Sequence, residues 1–320
     1  MDTLIVNPQN ISTEKEFEKA VSIVYKFQLE HNPIYREYNQ RLNFKNSPLF
    51  MPIRFFKHSS VKSTSFTEEA IFTSSGTTGI SYSKHFVKSL DIYRRSFIKA
   101  FELFYGAIDQ WCIVALLPSY LERKGSSLVF MVEELIQRTQ NSKSGFYLNN
   151  YQELADTLKN QELNGQKTLL LGVSYALLDF SGLYPMNFKY TYVMETGGMK
   201  GRGPELTKQA MHSILKERWN LDSIQGEYGM TELLSQAYSK ENGRYKCPPW
   251  MKVLIRDLYD PFKYVDNGKI GVICIIDLAN IYSCSFIETQ DLGKINDDET
   301  FEVLGRVDNS DIRGCNLLVQ

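Results

Sequence analysis

The 320-residue chain has no apolar run approaching the roughly 18 residues of a membrane-spanning helix. Its longest such runs, around Trp111 to Leu117 and Ile270 to Leu278, fall well short, so no membrane span is expected. Nor is there an excess of either charge. Lys and Arg number 36 against 37 Asp and Glu, which excludes a global electrostatic footprint for nucleic acid or an anionic membrane. Five cysteines, at positions 112, 247, 274, 284 and 315, are odd in number and widely spaced, giving no CxxC pair and no disulfide framework. No His/Cys/Asp cluster has metal-ligand spacing. The opening stretch, Met1 to Lys19, lacks a basic start, an apolar core and a small-residue cleavage pattern, so it does not read as a signal peptide and a cytoplasmic location is expected.

What is present is ample core material: 43% hydrophobic and 13% aromatic residues suit one large domain or two closely joined ones. Thr13 with Glu16 three positions later forms a capping-box signature, and Phe17, Ala20, Val21, Val24 and Phe27 follow at helical spacing. From Phe72 to about Met194, strand-like segments (Ile113 to Leu117, Thr168 to Leu171, Tyr190 to Met194) alternate with helical ones such as Ser127 to Arg138. That alternation predicts an α/β fold with a largely parallel sheet. After Tyr238 the pattern changes to short strands and turns, with a hairpin signal at Asn267-Gly268. The expected organisation is an α/β region at 1–239 that opens with an N-terminal helix. A smaller β-rich subdomain of the same unit follows at 240–310, then a tail at 311–320 carrying Cys315.

The sharpest local signal is the run from Phe72 through Thr73, Ser74, Ser75, Gly76, Thr77, Thr78 and Gly79. Glycines let successive N–H groups converge and the hydroxyls add donors, a composition suited to a polyphosphate. The GxxxxGK[ST] spacing of a Walker loop is absent. A second cluster, Gly226 to Glu232 (GEYGMTE), combines an aromatic ring, a hydroxyl and two carboxylates, the groups that stack on a purine, meet a phosphate and hold Mg²⁺. Farther on, Asp291 in ETQDLG suits sugar hydroxyls, and Arg306 in GRVD suits hydroxyls or phosphate.

The order of these elements, with Gly197-Gly198 in METGGMKG between the first two, resembles the ATP-binding motifs of the adenylate-forming superfamily of acyl-CoA synthetases, adenylation domains and luciferases, over roughly residues 70 to 315. The resemblance implies that Thr73 and Ser74 to Gly79 embrace the pyrophosphate end of ATP and that Gly197, Gly198 and Tyr228 border the adenine. It further implies that Thr231 contacts the α-phosphate, that Glu232 binds Mg²⁺ and that Asp291 and Arg306 hold the ribose. Two departures stand out. In the family a lysine-bearing mobile domain of about a hundred residues follows the GRxD hinge, whereas 12 residues follow Asp308 in this sequence. The usual Pro-Lys after the phosphate loop is also missing, and Lys84 arrives five positions after Gly79. His85 beside it reads as a solvated loop histidine.

The short form, the PIRFFK segment at Pro52 to Lys57 and the RGCNLLVQ tail look most like the LuxE-type acyl-protein synthetase of bacterial bioluminescence. That branch implies ATP-dependent activation of a fatty or aryl carboxylic acid and transfer of the acyl group to a thiol as a thioester. Cys315, sixth from the end, stands in the matching place. A CoA, a carrier protein or a reductase partner are the other acceptors implied. Two further readings stay open: a serine thioesterase or acyltransferase built on Gly172-Val173-Ser174 with Asp179 and His212, and a partner-dependent nucleotide-binding subunit without turnover. Cys112 and Cys274 read as core residues, Cys247 and Cys284 as undecided.

Overall fold

The computed structural model describes residues 6–43, 48–74, 82–118, 125–148, 150–197 and 206–307. Thr13 starts helix α1 (Glu14–His31) with the expected reciprocal cap: its Oγ1 accepts from the Glu16 N–H at 3.3 Å, and Glu16 Oε2 accepts from the Thr13 N–H at 3.0 Å. Phe17, Ala20, Val24 and Gln28 form the buried stripe. Asn32 ends α1 and caps α2 (Pro33–Leu42), accepting from the Tyr35 N–H, with proline at the first helical position. A short strand β1 (Met51–Pro52) and a helical turn α3 (Phe55–His58) follow. Next comes a separate antiparallel hairpin of β2 (Ala70–Thr73) and β3 (Lys84–Val87), with Phe72 opposite His85.

Helix α4 (Leu90–Tyr105) leads into the α/β part: β4 (Cys112–Leu116), α5 (Ser127–Thr139), β5 (Gly145–Phe146), α6 (Tyr151–Leu163), β6 (Thr168–Gly172), α7 (Ser174–Leu183), β7 (Thr191–Glu195), α8 (Lys208–Trp219) and β8 (Gln225–Tyr228). Five strands run parallel in the spatial order β5-β4-β6-β7-β8. Every residue of β4 and β6 is buried, as befits strands covered by helices on both faces. The strand order reverses between β4 and β6, which opens a crevice at the carboxyl ends of the strands, the usual place for a ligand in such a sheet.

The β-rich C-terminal region continues this same sheet. Strands β9 (Ala237–Ser239), β10 (Arg244–Lys246), β11 (Met251–Arg256), β12 (Gly271–Asp277), β13 (Phe286–Ile295) and β14 (Phe301–Arg306) are antiparallel to their neighbours in the order β8-β9-β10-β14-β13-β12-β11. Strand β1 adds to β13 in parallel. The Asn267-Gly268 signal falls in the connection from β11 to β12, but that connection is a long one; Gly268 has φ +81° and its N–H donates to Ile295 O on β13.

The turn from β12 to β13 is the tie between the two ends of the chain. Gln28 Nε2 donates to Ile281 O at 3.0 Å, Gln28 Oε1 accepts from the Ser285 N–H at 3.0 Å, and Asn32 Nδ2 donates to Ser283 O at 2.8 Å. These are buried amides satisfied by backbone, the condition under which polar side chains are tolerated in a core.

Candidate active site

The β2–β3 hairpin is pinned at its stem. Ser74 Oγ accepts from the Ser83 N–H at 3.0 Å and the Ser74 N–H donates to Ser83 O at 3.1 Å, so Ser74 closes the hairpin below the Ser/Thr/Gly run. Thr73 pairs with Lys84, whose side chain is exposed, and the Thr73 N–H donates to Gly125 O at 2.8 Å. Ser75, Gly76, Thr77, Thr78 and Gly79 lie outside the described residues.

His85 is not the solvated histidine expected. It is fully buried, its Nδ1–H donates to the Thr231 carbonyl at 2.8 Å, and its Nε2 lies 2.9 Å from Asn280 Oδ1. Asn280 Nδ2 in turn donates to Glu232 O at 2.7 Å and Cys284 O at 2.9 Å. Burial pushes the imidazole down to about 4, against the pull of both contacts. Asp277 braces the same segment, accepting from the Leu234 N–H at 2.8 Å and the Ser235 hydroxyl at 2.6 Å. The β2–β3 hairpin and the Thr231-Glu232 turn are thus one unit, joined through residues that carry no motif. Glu232 is buried; burial raises its carboxyl above the ordinary range, while a hydrogen bond with Ser83 and the charges of Lys57 and Arg306 pull the other way.

Tyr228, at the end of β8, is brought to Asp291 and Arg306. Its hydroxyl donates to Asp291 Oδ2 at 2.8 Å, and its ring packs against Tyr245 and Phe301 at centroid distances of 5.8 and 5.4 Å. Asp291 and Arg306 face each other across β13 and β14, with Arg306 Nε 3.5 Å from Asp291 Oδ1. The Arg306 side chain is 77% exposed, so it is available to a ligand.

The next site element is the end of β7. Gly197 has φ +85°, a left-handed turn that favours glycine, and open space beside it. Gly198 lies outside the described residues. Just before the turn, Glu195, which like Lys208 the sequence did not flag, is buried: Ser174 Oγ donates to its Oε1 at 2.9 Å, while Lys208 Nζ and His212 Nε2 stand 3.2 and 3.5 Å from its Oε2. Burial alone would raise this carboxyl, but His212, Lys208 and Ser174 outweigh it and bring it down to about 2. Lys208 also donates to the Tyr245 hydroxyl, whose ring lies over Gly226; a Cβ there would sit 2.7 Å from that oxygen.

This geometry corrects the serine-hydrolase reading. Ser174 does sit on a strand-to-helix turn, between β6 and α7, but its hydroxyl donates to a carboxylate, and His212 stands on that carboxylate's other oxygen. A nucleophilic serine needs the imidazole to accept its proton. Asp179 is exposed on α7. Among the cysteines, Cys112, Cys274 and Cys284 are buried and Cys247 is partly so; burial pushes their thiols up, to about 11 for Cys112 and about 12 for Cys247 and Cys284. Cys315 lies outside the described residues.

A family model for acyl-protein synthetases, LuxE, matches residues 3–320. The chain belongs to the LuxE acyl-protein synthetase family. No curated protein matches the sequence. Among solved structures, the LuxE-family chain is similar to ATP-bound MatB from Rhodopseudomonas palustris, with a TM-score of 0.56 and 17% identity over 74% of this chain and 48% of that one. A long-chain-fatty-acid–CoA ligase from Archaeoglobus fulgidus gives 0.52 and 16% over 74% of this chain and 51% of that one. A 2-hydroxyisobutyryl-CoA ligase in complex with 2-HIB-AMP gives 0.62 and 11% over 92% and 68%. The chain spans about half the length of the first two. At these identities the likeness to MatB and to the two CoA ligases is one of fold.

Proposed function

We propose that this LuxE-family protein activates a carboxylic acid with ATP, releasing pyrophosphate, and passes the acyl group to a thiol, its own Cys315. The observation that carries the reading is convergence. The stem of the Ser/Thr/Gly loop, the Thr231-Glu232 turn and the Tyr228–Asp291–Arg306 group, separated widely in sequence, meet at one end of the sheet.

ATP fits these residues. The loop after Ser74 would offer its amides to the β- and γ-phosphates, Thr231 would contact the α-phosphate, and Tyr228, Gly197, Asp291 and Arg306 would border the nucleoside. Mg²⁺ fits Glu232, a buried carboxylate whose charge is only partly matched by the protein. Among the described residues no three His, Cys, Asp or Glu groups gather around one point. Glu232 would therefore share the ion with the nucleotide's phosphates, as is usual for Mg²⁺. When bound, the ion neutralises charge building on the phosphates. The chain's own part is positioning: it holds the acid's carboxylate oxygen in line with the α-phosphorus while the bond to pyrophosphate breaks.

Thiol attack on the resulting mixed anhydride would release AMP. The described cysteines are poor acceptors because burial keeps them protonated, which favours Cys315; CoA, a carrier protein or a reductase partner are the other acceptors. The proposed location is the cytoplasm, and among the described residues no helix is long and apolar enough to cross a membrane. The test is the intact mass of wild type and Cys315→Ser after incubation with Mg-ATP and mixed acids. An ATP-dependent, hydroxylamine-labile adduct absent from the variant supports the reading. Pyrophosphate release without an adduct moves the acceptor to another molecule, and no pyrophosphate from any acid rejects activation.

A further inference from the structure

Helix α8 opens on a residue of the wrong charge. Thr207 caps it, accepting from the Ala210 N–H at 3.2 Å, and Lys208 takes the first helical position, where the helix dipole disfavours a cation. No acidic residue in the first turn offsets it. The Lys208 side chain is also only 32% exposed, so its ammonium is partly out of water. Such a placement needs partners, and the lysine has two. Its Nζ lies 3.2 Å from Glu195 Oε2 and donates to the Tyr245 hydroxyl. Burial alone would lower this ammonium, but Glu195 and next Tyr245 outweigh it and hold it above its ordinary value.

The two partners belong to opposite sides of the proposed base site. Glu195 ends β7, two residues before the left-handed turn at Gly197. Tyr245 stands on β10, three strands across the sheet. Its ring lies 5.8 Å from that of Tyr228 and stacks on Phe301 at 5.4 Å, and Phe301 meets Tyr228 edge-on at 5.4 Å, so the three rings close on one another. Gly226, opposite Glu195 in register across β7 and β8, leaves the room that the Tyr245 hydroxyl fills. One ammonium thus ties the strand that leads into the Gly197 turn to the ring on which Tyr228 rests.

We propose that Lys208 is a positioning residue for the nucleotide: by holding Glu195 and Tyr245 together, it sets the separation of the Gly197 turn from the Tyr228 ring, the two walls proposed to border the base. The inference rests on the proposed adenylation and adds to it a residue that acts through its neighbours. Tyr228 then has two anchors. Its hydroxyl is held by Asp291 at 2.8 Å, and its ring face is held by Tyr245, whose own hydroxyl is fixed by Lys208. Removing that hydrogen bond frees Tyr245 and lets the slot change width. A slot of the wrong width weakens the ground state and the transition state alike, since both contain the same base. The loss therefore falls on the KM for ATP and spares kcat. Pyrophosphate carries no base, and its binding is spared as well.

The experiment measures ATP–pyrophosphate exchange on the full chain, varying ATP and pyrophosphate separately, together with calorimetric titration of Mg-ATP and thermal melts. Lys208→Met, and Tyr245→Phe, which strips one hydroxyl and keeps the ring, should each raise the KM for ATP by roughly tenfold. In both, kcat and the KM for pyrophosphate should hold. Lys208→Met leaves the buried Glu195 short of a partner, so Lys208→Met with Glu195→Gln is made beside it; this pair should melt closer to wild type and keep the raised KM. If Lys208→Met fails to fold, Tyr245→Phe decides alone. A merely structural role would move both KM values together with the melting temperature. That pattern, an unchanged KM for ATP in folded Tyr245→Phe, or recovery of the KM in the double variant would overturn the inference while leaving adenylation standing. If no acid supports exchange, adenylation fails; Mg-ATP binding that weakens about tenfold in Tyr245→Phe then upholds the positioning role, and equal binding, or none by wild type, rejects it.

Discussion

The His85 imidazole donates to the main-chain oxygen of Thr231 across 2.8 Å, coupling the hairpin below the Ser/Thr/Gly loop to the residue proposed at the α-phosphate. His85→Ala leaves the Thr231 carbonyl and the Asn280 amide facing a cavity. The expected loss is about 2 to 4 kcal/mol in denaturant unfolding, together with a several-fold rise in KM for ATP in the folded fraction. A folded variant with an unchanged KM for ATP would show that the hairpin holds its position without the histidine.

Glu232→Gln removes a charge from a buried oxygen while preserving its shape. Pyrophosphate exchange should fall by about a hundredfold or more, because the proposed Mg²⁺ ligand is lost, while the melting temperature stays level or rises, since a buried carboxyl is no longer desolvated. Exchange at the wild-type rate across a Mg²⁺ titration would remove Glu232 from the metal site.

The protonation of Glu227 has a signature in stability. Burial and Glu195 raise this carboxyl from its ordinary 4.5 to about 8, with Lys208 opposing and the neutral hydroxyls of Tyr93, Tyr105, Tyr238 and Tyr245 around it. Between those two values the native protein binds a proton that the unfolded chain has released, so this group's contribution to stability is whole at low pH and is lost as pH rises toward about 8. Melting curves of wild type and Glu227→Gln should therefore diverge on going from about pH 5 to about pH 8, with the variant gaining. Parallel curves would mean that Glu227 is ionised in the fold.

Ser174→Ala separates the hydrolase reading from the one argued here. Losing the hydrogen bond to Glu195 should cost about 1 to 2 kcal/mol and leave pyrophosphate exchange within a few-fold of wild type. Abolished turnover in a folded Ser174→Ala protein would return the serine to the chemistry.

Much of the site was legible because its residues advertise themselves locally. The cap at Thr13 and Glu16 is a contact across three positions, and Asp291 with Arg306 stood out by residue type within the short motifs ETQDLG and GRVD. His85 was misread because its solvation depends on Asn280, 195 positions away, which no local pattern announces. Glu195 and Lys208 meet only because α8 folds back over β7. Glu227 was visible as one of two carboxylates in GEYGMTE, but period-two alternation, applied to Gln225–Tyr228, would already have turned it away from Tyr228 and into the interior. The hydrolase elbow at Ser174 is the converse case, where a correct strand-to-helix turn carried the wrong partner.

The amide of Gln28 reaches a carbonyl 253 positions later, in the turn that also holds Asn280. A ribosome adding about 5 to 20 residues per second needs on the order of tens of seconds to deliver that turn. Through that interval Phe27 has no Tyr282 ring to pack on, and His85 has no Asn280. The proposed nucleotide binding would thus be a late property of the nascent chain, acquired when its first helices are finally covered.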